Sequence, residues 1–391
     1  MRRRDLLRRA GIVAGAVGLS GCTGGPPTGD EVGTDDGTDS GGDGSDGGDD
    51  GGGGGEPTET TEEPTPAVDP DLDFLTQISV QPVPVLGGGG DTIERTYGRD
   101  ASSQGTTSAP DLTLSVPETL YRYYRDRPRP ASLSGYVADG FAGRYLNEIG
   151  AHFEGYTART ADALDGIAYL AQGFPAGEDS GSDRTQYPMG TLVDGTGDGL
   201  DASLLLVGIV RERDYPAVLL RYPEAGHVAA GIASDRLSGA SVTHDGTTYY
   251  HTEAARSGYG VGRKPTVVFN QEPEVVPLGA APSLGLDAGV VAPGAEGSVL
   301  DVDLTVHNAG TAPASGVSLR VAFEGVDGAV TAERTTEADV PADDRQTVTV
   351  PFRPADGPSP PEDRRQRLRA TADLGGETRF AVTSDYFSPG G

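Results

Sequence analysis

Between residues 141 and 171 the apolar side chains recur at helical spacing. Phe141, Tyr145, Ile149 and Phe153 lie four apart, and Leu164, Ile167, Ala168 and Ala171 repeat the pattern. This predicts two amphipathic helices. Gly173–Tyr187 reads as a loop, rich in Gly, Ser and Asp. A nearly unbroken apolar run from Asp201 to about Arg213 predicts a buried helix, with Asp201 as its N-cap. Two short apolar runs follow, Ala217–Tyr222 and His227–Ala233. A hairpin is expected at Asp245–Gly246, between Ser241–His244 and Thr247–His251. Upstream, Ile78–Leu86 and Asp111–Val116 carry strand-type residues. Helices, a turn into a buried helix, then antiparallel strands make an α+β pattern for residues 67–280.

The pattern changes near residue 285. Val299–Val306, Val317–Phe323, Thr347–Phe352 and Leu368–Leu374 alternate apolar and polar positions, with turn residues between them. Regularly spaced short strands predict an all-β sandwich of about seven strands over 285–391. At the other end, residues 1–21 have a basic start and an apolar run from Ala10 to Leu19, too short to span a bilayer as a mature helix. That is the pattern of a signal peptide.

Composition sharpens this outline. The 391 residues carry 59 Asp+Glu against 30 Lys+Arg, a formal charge of −29, and Lys264 is the one lysine. Such a chain repels phosphate backbones, so nucleic acid is excluded as a partner. The same balance suits a surface kept hydrated in concentrated salt, as in a halophile. Residues 23–66 hold thirteen acidic residues, no basic one and hardly an apolar side chain. They are expected to form a disordered stalk, its Thr/Pro-rich end 57–66 stiffer than the rest. Cys22 is the one cysteine, which excludes an intrachain disulfide, a zinc–thiolate cluster and any cysteine nucleophile beyond it. No Asn-x-Ser/Thr sequon occurs.

Several motifs resemble known families. Arg3-Arg4-Asp5-Leu6-Leu7 is similar to a twin-arginine export signal, and Leu19-Ser20-Gly21-Cys22 resembles a lipobox. The resemblance implies export in a folded state, cleavage before Cys22 and a lipid on its thiol. The mature chain would then sit on the outer face of the cell membrane, among envelope proteins or peptides. YPMGTLVDGTGDGLDASLLLVGIV, then GHVAAGIA, then TTYYHTEA resembles the transglutaminase-like domain of archaeal and bacterial exported proteins. The likeness covers about 112–265, with its motif detail in 187–254. It implies a papain-like core and a thiol triad. In such a triad a cysteine at a helix N-terminus attacks, a histidine on an adjoining strand takes its proton, and a carboxylate holds the imidazole. DLTVHNAGTAPASGVSLRV resembles the immunoglobulin-like adhesion modules of archaeal surface proteins, and names no ligand.

Carried over residue by residue, the family histidine falls on His227, the acidic member on Glu253 and the nucleophile on Gly199, which has no side chain. The expectation is a catalytically degenerate domain that binds or scaffolds protein or peptide, without cofactor or metal. The alternative is a peptidase or transamidase with a non-cysteine nucleophile, for which Ser203, one helical turn beyond Gly199, is the candidate. Asp194, Asp198 and Asp201 offer oxygens to a calcium ion but lack the spacing of a calcium loop. His152, His244, His251 and His307 share no metal spacing with His227. Tyr121–Arg129 is a basic–aromatic cluster, read as aromatic core with solvated arginines or as a contact for an acidic partner or glycan.

Overall fold

The structure, a computed structural model, describes residues 79–80, 91–97, 111–175, 185–291, 300–352 and 365–387. The expected signal segment, Cys22 and the expected stalk lie outside the described residues. The architecture is α+β with a β-rich part. Among the described residues no helix is long and apolar enough to cross a membrane.

A two-stranded ribbon, β2 (Thr92–Tyr97) with β3 (Leu112–Pro117), leads into the helices. These are α1 (Glu118–Asp126), α2 (Ser134–Val137), α3 (Gly140–Gly155), α4 (Thr160–Gln172), α5 (Pro188–Asp194) and α6 (Gly199–Glu212). The four-apart apolar positions fall on α3 and α4, as the spacing requires: Tyr145, Ile149, Leu164 and Ile167 are buried, and Phe141 and Phe153 pack at the margin. Asp139 starts α3 by accepting from the Phe141 amide at 2.8 Å.

A five-stranded antiparallel sheet follows, in the order β6 (Ser241–His244), β7 (Thr247–Thr252), β5 (His227–Ile232), β4 (Ala217–Tyr222), β8 (Glu274–Val276). Asp245 and Gly246, both at positive φ (49° and 78°), make the tight turn between β6 and β7. Alternation along β4 divides its side chains between two clusters. Ala217 and Leu219 join the large core containing α6, whereas Val218, Leu220 and Tyr222 join a small cluster with Ala229 and Val268. Every residue of α6 from Asp201 to Val210 is buried, so this helix is the centre of the helical half.

The remaining strands form two four-stranded sheets packed against each other. One has the order β1 (Ser79–Val80), β9 (Leu284–Val291), β10 (Leu300–Asn308), β13 (Asp344–Phe352). The other runs β12 (Val330–Val340), β11 (Ala314–Gly325), β14 (Gln366–Leu374), β15 (Glu377–Thr383). Ser79 pairs with Gly289, so part of the early strand-type segment belongs to this sheet rather than beside the helices.

The two halves share one continuous apolar core. A polar cluster also joins them. Buried Arg127 donates to Asp139 Oδ2 at 2.5 Å, to Ser283 Oγ at 3.0 Å and to the Leu284 carbonyl at 3.2 Å. Its guanidinium lies 4.8 Å from the Tyr123 ring and 4.9 Å from the Tyr187 ring. The 121–129 cluster thus differs from the expected core with solvated arginines. Arg122 and Arg125 are exposed, but Arg127 is buried because Asp139 neutralises it and Ser283 and Leu284 accept from its second terminal nitrogen.

Candidate functional site

The site begins at the turn between α5 and α6. Gly195 ends α5 at φ 69°, a left-handed conformation that suits glycine. Asp198 then caps α6: its Oδ1 accepts from the amides of Leu200 (2.8 Å) and Asp201 (2.9 Å). Asp201 reciprocates, accepting from the Asp198 amide at 3.1 Å, and its other oxygen accepts from the Gln186 amide at 2.7 Å. This is a capping box. The N-cap is therefore Asp198 and not the expected Asp201, because a carboxylate at 198 reaches the orphan amides two and three residues on. Burial raises the Asp201 carboxyl to about 6, against the opposing pull of the two amides.

That correction moves Gly199 to the first position of the helix, where the macrodipole is positive. Gly199 is half-buried, and a Cβ added to it would meet only the Ala255 Cβ, at 3.4 Å. The backbone therefore admits a side chain at 199. Ser203, one turn on, is fully buried and donates its hydroxyl to the Gly199 carbonyl at 2.6 Å. The same oxygen lies 3.4 Å from the Val228 carbonyl, so the first turn of α6 rests against the start of β5.

His227 opens β5, after a 3₁₀ turn (Pro223–Ala225) that closes on Gly226 at φ 57°. Glu253 follows the last residue of β7. The register Ala230↔Thr252 brings these strand ends together, and His227 Nε2 lies 2.9 Å from Glu253 Oε2. Glu253 Oε1 accepts from the amides of Ala255 (2.9 Å) and Arg256 (3.2 Å). Burial alone would raise the Glu253 carboxyl. The His227 hydrogen bond, the His251 ring and the Ala255 amide outweigh it and hold the group at about 2. An ionised carboxylate only accepts, so His227 donates from Nε2 to Glu253. A histidine held in this way by a buried carboxylate is the arrangement that general-base chemistry uses. Gly199 gives it no proton to take, and the Ser203 hydroxyl is already committed to a carbonyl.

Two residues outside the expected set belong to the site. His251 is buried, with Nδ1 3.0 Å from the Tyr222 hydroxyl and Nε2 3.7 Å from the Glu253 oxygen that holds His227. Burial lowers the His251 pKa and so favours the neutral ring. Gln172, at the end of α4, donates to the carbonyls of Glu253 (3.0 Å) and Tyr259 (2.7 Å) and fixes the backbone carrying the carboxylate. The sequence signal for His251 is its offset of two from Glu253, one side of an extended chain.

The other candidates do not converge. Asp194 accepts from the Tyr121 hydroxyl at 2.6 Å, while Asp198 and Asp201 are spent on the cap. His307 pairs with Asp287, His244 lies by Asp245, and His152 packs on Phe153 and Tyr156. Among the described residues no three His, Cys, Asp or Glu are grouped to hold a metal ion.

No family model matches this chain, and neither does any curated protein. Solved structures with some likeness include a protein described as a beta-galactosidase from Bacteroides fragilis, at TM-score 0.22 and 12% identity, covering 44% of this chain and 30% of that one. Another is red sea bream transglutaminase, at TM-score 0.19 and 10% identity, covering 81% and 63%. The chain spans less than two thirds of either protein. At these scores they assign neither fold nor activity to it.

Proposed function

We propose that residues 67–280 form a papain-like, transglutaminase-like domain whose nucleophile has been lost, and that the domain binds or scaffolds protein or peptide. In this reading 285–391 is an immunoglobulin-like module. The mature chain, exported by the twin-arginine route, is held on the outer face of the cell membrane by a lipid on Cys22. The supporting observation is the His227–Glu253 pair, at 2.9 Å, in a site whose helix N-terminus is Gly199. Without a nucleophile, binding and oxyanion stabilisation alone supply about 10³–10⁴-fold over water in a serine protease, too little for acyl transfer.

The test is turnover by the full chain in molar salt, measured as amide hydrolysis and as amine incorporation into glutamine substrates. The expected result is none above background, in the wild type and in His227→Ala alike. Turnover abolished by Ser203→Ala or His227→Ala would establish the enzyme reading instead. The anchor is tested by Cys22→Ser, expected to release the protein into the medium; unchanged membrane retention contradicts it.

A further inference from the structure

The chain leaving α1 meets the β9 and β15 ends of the two sheets around a pocket of about 100 Å³. It shares no residue with the His227–Glu253 site. Three arginines line it, Arg127, Arg129 and Arg379, and no Asp or Glu does. In a chain with 59 acidic residues against 30 basic ones, a lining whose charged residues are all arginine runs against the general balance.

The three arginines are not equivalent. Arg127 is neutralised by Asp139, and all that remains of it is a buried Nε without a partner. Arg129 makes no ion pair among the described residues and lies 5.6 Å from the Tyr187 ring. Arg379 meets one carboxylate, Glu377 at 2.8 Å, whose side chain is 63% exposed. The Arg379 side chain is itself only 20% exposed, but a pair whose carboxylate stands in solvent is a weak competitor for the guanidinium. Arg129 and Arg379 therefore keep donors for an incoming anion, and a planar fork suits a carboxylate. The rest of the lining is more apolar than polar, with Pro130, Pro282 and the Tyr187 ring among its walls. Such walls reward an apolar body and give nothing to a fully hydrated inorganic anion.

We propose that this pocket binds a small carboxylate with a compact apolar body, the carboxylate on Arg129 and Arg379 and the body against Pro130, Pro282 and Tyr187. The carboxylate belongs to a free acid or to a peptide C-terminus, and the two sources share this chemistry.

Calorimetric titration of the full chain at constant ionic strength tests it. Benzoate represents the free acid, N-acetylproline the chain end, and benzamide and sulfate are the controls. Benzoate or N-acetylproline should bind, whichever is tighter naming the source, with benzamide and sulfate at least tenfold weaker. Arg129→Gln with Arg379→Gln should weaken binding at least tenfold. Ala131→Glu, which places a carboxylate in the wall at an exposed position, should abolish binding with the melting temperature unchanged. Absence of binding by both acids, equal binding of benzamide or sulfate, or affinity within twofold of wild type in both variants overturns the proposal.

Discussion

Glu253 gathers more interactions than any other side chain of the site: one ring nitrogen at 2.9 Å, two amides and a second ring at 3.7 Å. Its carboxyl, held at about 2 instead of 4.5, makes stability depend on pH. Because the folded pKa is depressed, the stabilisation is complete above about pH 4.5 and is lost as pH falls towards 2. Its size is on the order of 3 kcal/mol at neutral pH. Urea unfolding of wild type and Glu253→Gln should therefore differ most at neutral pH and converge between pH 4.5 and 2; a constant difference across that window would contradict the assignment. His251 acts in a higher window. Its folded pKa lies below the ordinary 6.5, so acidification first protonates the unfolded chain and stability falls below about pH 6.5. His251→Gln should remove that part of the acid loss. His227 and Glu253 were legible as single positions in the sequence. Their meeting with His251 and Tyr222 was not, because it depends on the pairing of β4, β5 and β7, which no local pattern encodes.

Element boundaries show the same division. The hairpin at Asp245–Gly246 was legible because two successive positive φ values demand such a dipeptide. So were α3 and α4, from their apolar spacing. The unbroken apolar run, which follows Asp201, puts the N-cap of α6 three residues late; the structure uses the capping-box spacing of Asp198-Gly-Leu-Asp201 instead. Strand β12 left no clear signal: it buries only Ala332, Ala338 and Val340, and its other side chains are mostly polar and outward. Asp198→Ala should cost about 1 kcal/mol, as for other helix caps. It should also raise amide exchange in the first turn of α6, the turn carrying Gly199. Unchanged exchange there would mean that the cap does not set the position of residue 199.

For the whole molecule, charge and convergence matter most. Residues 1–21 carry five Arg and one Asp, and residues 23–66 thirteen acidic residues, which leaves −20 on residues 67–391. The Debye length grows from about 3 Å at 1 M to about 30 Å at 0.01 M, so self-repulsion in dilute buffer should weaken the compact state. The melting temperature is expected to rise from dilute buffer to molar salt, and a salt-independent value would reject this. The start of α6, the start of β5 and the turn after β7 lie together, and the proposed remnant triad requires residue 199 to face His227. Gly199→Cys in a Cys22→Ser background introduces the only thiol of the chain, where the Cβ has room and the helix N-terminus favours thiolate. The rate of iodoacetamide alkylation across pH measures that thiol's pKa. The account predicts a value well below the ordinary ~8.5 that rises towards it when His227 is replaced by Ala. An ordinary pKa, indifferent to that replacement, would show that residue 199 does not face His227 and would contradict the remnant-triad reading.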